Sequence, residues 1–314
     1  MPPLSVSVEE VRRAERLLRN RAIRFVLGNL FRSHIRRTRH FREWFKFPMN
    51  YARIMELPLT LLLLKARKED LILDVSSPKL LALCFALNGY DRVVAADLED
   101  YFVKDFETYK KWSNLSIKTS VFDAASKIPF PSSYFDKIYS VSVLEHIPYN
   151  GDALALQEML RVLKPSGTIV ITLPAFTYYV EEWMVGNPYW QSVQNERNET
   201  FFQRRYDEES LKKLCSIQGA TTEEVLLIAE KPIDQPKIGE NGIMLHNSYL
   251  IDKVLIAHWI NVLGRRLKFL PFTRYLSELV VSRRSHYLTA DWGDPNIRQV
   301  AVKISKNAIP GLDS

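Results

Sequence analysis

Phe135-Asp136-Lys137-Ile138-Tyr139-Ser140-Val141-Ser142-Val143-Leu144-Glu145-His146-Ile147 sets an apolar run against an abrupt polar cluster. Lys137 to Ser142 predicts a short strand, and Ser142 to His146 the loop that closes it. Downstream, Asp152 is placed to cap a helix running through Leu163, after which Lys164-Pro165-Ser166-Gly167 turns into a strand at Thr168 to Leu173. Upstream, strands are predicted at Leu71 to Val75, at Val93 to Ala96 ending on Asp97, and at Leu115 to Val121. A helix from Pro78 to Asn88, stopped by Gly89, separates the first two. Strands alternating with helices build a parallel sheet with right-handed crossovers.

An open parallel sheet takes its ligand outside the carboxyl ends of the strands, where the strand order reverses. Polar residues gather there: Asp74 closes the first strand, Asp97 the second, Asp123 follows the third, and Ser142 to His146 follow the fourth. Asp97 stands 23 residues after Asp74, close to the ~20-residue interval at which an acidic side chain meets the ribose of a bound nucleoside. Glu99 and Asp100 compete with it, and a solvated acidic turn is the plain alternative.

These residues carry a family resemblance. Phe135 to Ile147 resembles the fourth motif of small-molecule class I methyltransferases, and Glu158-Met159-Leu160-Arg161-Val162-Leu163-Lys164-Pro165-Ser166-Gly167 resembles that family's helix and turn before the fifth strand. Asp123-Ala124 ahead of Ile128-Pro129-Phe130 is similar as well, as is Arg205-Tyr206-Asp207 opening a late helix. The match covers residues 70 to 230 and a final strand that the family pairs antiparallel.

The resemblance implies an α/β fold: a seven-stranded, mostly parallel Rossmann-like sheet with helices on both faces. It divides the chain into a basic helical accessory region (1–68), a cofactor-binding core (69–230), a helical insertion (231–297) and a last core strand with its tail (298–314). It implies S-adenosylmethionine as cofactor and methyl transfer to a small-molecule, lipid-type or sugar-type acceptor. Asp97 would hold the ribose and Asp123 the adenine amino group, with Ala124 beside the ring. Ser142 would face the methionine end, and Asp74, Ser76, Ser77, Lys79 and Leu98 would complete the pocket.

One stretch departs from the family. Asp74-Val75-Ser76-Ser77-Pro78-Lys79-Leu80 has serine, proline and leucine at the usual glycine positions, which reduces close backbone approach. S-adenosylmethionine carries no phosphate, so its loop need not cradle one. Ser77 before Pro78 predicts a capped helix start. Lys79, near the positive end of that helix, is expected either to pair with the cofactor's carboxylate or to remain solvated. His146 is the candidate general base for an acceptor that must lose a proton, or else a histidine that fixes the loop. Tyr178, Tyr179, Trp183, Tyr189 and Trp190 follow the fifth strand, where they would line an acceptor pocket or pack against the accessory helices.

With 46% hydrophobic and 25% charged residues in 314, the composition is that of a globular protein. Cys84 and Cys215 lack metal-ligand spacing and suit structural thiols in a reducing compartment. No secretory pattern opens the chain and no apolar run is long enough to span a bilayer, so a cytoplasmic protein, free or held at a membrane surface, is expected. The net charge of +7 is uneven, because residues 1 to 68 hold 16 Lys and Arg against 5 Asp and Glu. That segment, together with 249–287, suits contact with an anionic surface, whether a membrane or a phosphorylated substrate, or else arginine-rich helices solvated on one face and packed on the other; an apolar helix near Tyr249 to Leu263 is followed by a basic-aromatic tract from Arg265 to Tyr287. A nucleic-acid partner is disfavoured by the lack of a recognised motif. A dehydrogenase is disfavoured because no G-x-G-x-x-G follows the first strand. The rival reading is a catalytically inactive relative that uses the same sheet as a binding module.

Overall fold

The computed structural model describes residues 4–113, 115–186, 193–231 and 273–308. The apolar helix expected at Tyr249 to Leu263, the start of the basic-aromatic tract, and Tyr189 and Trp190 lie outside the described residues.

Four helices come first: α1 (Val8–Gly28), α2 (Ser33–Arg36), α3 (Arg39–Lys46) and α4 (Arg53–Leu64). The α1 start is a capping box of Ser7 and Glu10, each side chain bonding the other's backbone N–H. Next come β1 (Ile72–Val75), α5 (Leu80–Leu87), β2 (Val93–Asp97), α6 (Asp100–Val103), α7 (Asp105–Ser113), β3 (Ile117–Val121) and β4 (Phe135–Val141). A single 3-10 turn at Leu144–His146 leads to α8 (Gly151–Val162), β5 (Leu163–Pro174), β6 (Val180–Met184), β7 (Thr200–Arg205), α9 (Glu208–Cys215) and β8 (Ala220–Glu230). The last elements are α10 (Thr273–Ser285), β9 (His286–Thr289) and β10 (Ile297–Lys306).

The main sheet runs β3-β2-β1-β4-β5-β10-β8-β9. Its first five strands are parallel, and β10 lies antiparallel between β5 and β8. It has eight strands, one more than the seven expected. The extra strand, β9, pairs with the edge of β8; its first two residues, His286 and Tyr287, end the tract expected to be basic and aromatic, and Leu288 and Thr289 lie beyond it. The segment after Pro174, for which no element was predicted, contains the antiparallel hairpin β6–β7.

Strand pleating sorts the core into two layers. Ile72, Val93, Ala95, Tyr139, Val141 and Val170 face α1, α4 and α5, while Leu73, Val75, Val94, Ala96, Ile138 and Ile171 face α8 and α9. The helices of residues 1–68 are therefore part of the core, and α4 is buried along most of its length. Both cysteines are free and buried. Among the described residues, no helix is long and apolar enough to cross a membrane.

Candidate active-site crevice

From β1 the chain first builds β2 and β3 on one side, then crosses to β4 and β5 on the other, so the strand order reverses between β1 and β4. Asp74 is fully buried near the end of β1, and Ser76 follows with φ 54°, the left-handed backbone that a glycine would adopt without strain. Ser76 N–H donates to the Ala96 carbonyl at 3.0 Å, and Ser77 N–H to Asp74 Oδ1 at 2.9 Å.

Ser77 does not cap a helix. Its hydroxyl accepts from Val141 N–H at 2.9 Å and donates to the Val75 carbonyl, which stitches the loop to β4. Helix α5 begins two residues later than its expected proline start, with Lys79 in the cap position and no side-chain cap. Asp152 likewise sits inside the first turn of α8, where it accepts from Ala153 N–H and the Tyr206 hydroxyl.

Lys79 is neither solvated nor open to a cofactor carboxylate. Its ammonium lies 3.1 Å from Asp97 Oδ2, 3.4 Å from Asp74 Oδ2 and 2.8 Å from the Ala96 carbonyl, so protein acceptors surround its three N–H groups. Burial pushes the Asp74 carboxyl up to about 6, against the pull of Lys79 and Ser77 and with a further push from Asp97. Asp97 Oδ1 has no hydrogen-bond partner among the described residues. Glu99 and Asp100 are exposed at the start of α6, and Leu98 is exposed beside them.

Asp97 pairs in register with Val121, which puts Asp123 just beyond it on the neighbouring strand end. Asp123 accepts from Ala125 N–H at 2.9 Å and from the Ser126 hydroxyl at 3.2 Å, and Ala124 is buried in the core layer below. Thus Asp74, Ser76, Ser77, Lys79 and Asp97 form one cluster, with Asp123 and Ala124 on the adjacent strand end.

Across the switch point the polar groups belong to a second cluster. Ser142, at φ 48°, donates its hydroxyl to Glu56 of α4, which also accepts from the Thr172 hydroxyl at 3.1 Å and pairs with Arg53. Glu145 beside it is 1% exposed; neither carboxylate oxygen has a hydrogen-bond partner among the described residues, and Oε1 lies 3.7 Å from His146 Nε2. Burial pushes its carboxyl up to about 8; Glu56 adds to the rise and Arg53 opposes it.

His146 Nδ1 lies 2.7 Å from the Phe202 carbonyl. A carbonyl only accepts, so Nδ1 carries the proton and Nε2 the lone pair. Burial pulls the ring down to about 4, which keeps it neutral near pH 7 and makes it a weak base. Arg204 of β7 donates to the Ile147 and Tyr149 carbonyls, so hairpin β6–β7 is clamped over this end. Trp183 packs edge-on against Phe201 in that hairpin, whereas Tyr178 and Tyr179 are exposed.

Glu56, Arg53 and Glu145 were not among the expected site residues. Their signal was present: Glu56 is the one charged residue within Ile54 to Leu64, and Glu145 lies inside the stretch quoted first.

Residues 73–171 match the profile of a family described as "Methyltransferase domain". A ubiquinone/menaquinone biosynthesis C-methyltransferase from Bordetella parapertussis is 37% identical over 84 residues, covering 23% of this chain and 31% of that protein. Its Bordetella bronchiseptica counterpart matches equally, so the chain spans about a third of the length of these curated relatives. Among solved structures, the cyclase SpnF shares 16% identity over 81% of both chains with a TM-score of 0.45. An S-adenosylmethionine-dependent methyltransferase from Methanosarcina mazei shares 14% over 78% of this chain and 95% of its own, with a TM-score of 0.44. On the profile match and the strand order, residues 73–171 form a methyltransferase domain of the class I, Rossmann-like family.

Proposed function

We propose that this chain is an S-adenosylmethionine-dependent methyltransferase acting on a small-molecule, lipid-type or sugar-type acceptor. The observation that carries the reading is Asp97. Its carboxylate stands at the carboxyl end of β2, beside the switch point, with one oxygen held by Lys79 and the other without a partner among the described residues. That free oxygen fits a ribose hydroxyl, and the left-handed turn at Ser76 bends the backbone as the missing glycine would.

Asp97 would hold the ribose, and Asp123 with Ala124 the adenine. When bound, the cofactor supplies a methyl group on a positively charged sulfur. The protein's share is positioning and the exclusion of water. Helix α4 and hairpin β6–β7 cover the β4–β5 end, under which Glu145 is buried. Near pH 7 its carboxyl keeps a proton and can donate a hydrogen bond; above about 8 it can accept one. His146 would orient hairpin β6–β7 through the Phe202 carbonyl. The Bordetella relatives are named C-methyltransferases, and a carbon acceptor falls within the proposed range.

Calorimetric titration with S-adenosylmethionine and S-adenosylhomocysteine tests the reading. Saturable binding by the intact chain is expected. Absence of binding to either would overturn the proposal in favour of an inactive binding module.

A further inference from the structure

Part of the N-terminal charge excess, Arg21, Arg24 and Arg32, lies at the end of the sheet opposite the crevice. Helices α5 and α7 run back from the carboxyl to the amino ends of the strands, so their last residues, Leu87 and Ser113, mark the amino edge. There, Phe31 in the turn after α1 is 98% exposed, with Leu27 at 52% and Trp112 at 44%. A cavity of about 310 Å³ opens beside them, lined by Arg21, Arg24, Asn29, Arg32 and Ser113.

The patch is built, not frayed. Arg32 donates to the Trp112 carbonyl at 2.7 Å and to Asn29 Oδ1 at 3.3 Å, tying the Phe31 turn to α7. His34 stacks on Trp112 with 4.6 Å between ring centres, and Lys111 lies 5.5 Å from the same ring. Arg24, Arg36, Arg37 and Lys111 are exposed and pair with no acid among the described residues. The neighbouring acids are already engaged: Glu107 by Lys110 and Asp105 by His40.

We infer that this surface docks on an anionic lipid bilayer: Phe31 and Leu27 enter the acyl boundary, while Arg21, Arg24 and Arg32 hold a lipid phosphate at the cavity mouth. Phe31 at 98% exposure, with half-exposed Leu27 beside it and cations without an acidic partner among the described residues around them, matches the layering of an anionic interface, with hydrocarbon below and phosphate above. A nucleic acid fits less well. One face of Trp112 is covered by His34, and Phe31 and Leu27 would meet no hydrocarbon. Docking here leaves the crevice facing away from the bilayer.

Sedimentation of the full chain with phosphatidylcholine vesicles, with and without about 30% phosphatidylserine, tests this at two salt concentrations. Binding to the anionic vesicles alone is expected, weakened by salt. Phe31→Ser should weaken it by about 10-fold, and Arg24→Glu with Arg36→Glu by about 100-fold or more. Melting temperature and S-adenosylmethionine affinity should be unchanged, which keeps this result separate from the fate of the proposed activity. Equal binding of the Phe31→Ser and unaltered chains overturns the inference. So does equal binding to neutral vesicles, oligonucleotide binding insensitive to Phe31→Ser, or self-association through the patch without vesicles.

Discussion

The two ends of the crevice bury carboxylates to the same depth and treat them in opposite ways. At β1 and β2, the Lys79 ammonium lies between Asp74 and Asp97, and the Asp74 carboxyl rises only to about 6. At β4, Glu145 has no cation in hydrogen-bonding reach among the described residues and a second acid, Glu56, nearby, and its carboxyl rises to about 8. Burial penalises the charged form in both places; a buried counter-charge decides how far. Near neutral pH the β1–β2 end is therefore charged and fit to orient donors such as ribose hydroxyls, whereas Glu145 at the other end is a neutral acid.

The largest test of that contrast is pH. Glu145 is raised in the folded chain from an ordinary 4.5, so it keeps its proton while the unfolded chain has lost it. Its penalty grows as pH rises from about 4.5 and is complete above about 8, at most on the order of 5 kcal/mol. Glu145→Gln should flatten that slope, read as denaturation midpoints at pH 6 and pH 9. Identical slopes in both chains would break the contrast at its β4 end.

At the other end, Lys79→Ala strands two buried carboxylates and should cost about 3–5 kcal/mol at pH 7, by chemical denaturation. A cost below about 1 kcal/mol would mean that the ammonium offsets nothing. Asp97→Ala should weaken S-adenosylmethionine binding by about 100-fold, or about 2.7 kcal/mol, measured by calorimetry. Unchanged affinity would detach Asp97 from the cofactor half. The smallest expected effect belongs to Ser77, whose hydroxyl joins the two ends. Ser77→Ala should leave Val141 N–H unpaired at a cost of about 1–2 kcal/mol, with faster amide exchange at Val141.

Much of the scaffold was legible because it is written locally. The Ser7–Glu10 box and the Asp207 cap each close within three residues, so the residue types in sequence suffice to mark both helix starts. Strand alternation ending on Asp74, Asp97 and Ser142 placed the crevice, since pleating and crossover handedness leave few other arrangements. The β9 strand was hidden because four residues carry too few alternations to outweigh the composition around them. The Ser77 cap failed because a nearer partner took its hydroxyl: the Val141 amide, 64 residues along the chain.

The sequence by itself determined the parallel sheet, the acidic strand ends, the basic segment at residues 1–68 and the family resemblance. Each of these depends on periodicity and residue type over short spans. Only the tertiary structure decided what the charges do. The sequence leaves Lys79 open to solvent or to a cofactor carboxylate; in the fold β2 brings Asp97 against it, and α4 sets Glu56 over Ser142, 86 residues away. A carboxylate's behaviour depends on its depth and on which cation reaches it, and both are fixed by contacts between distant segments.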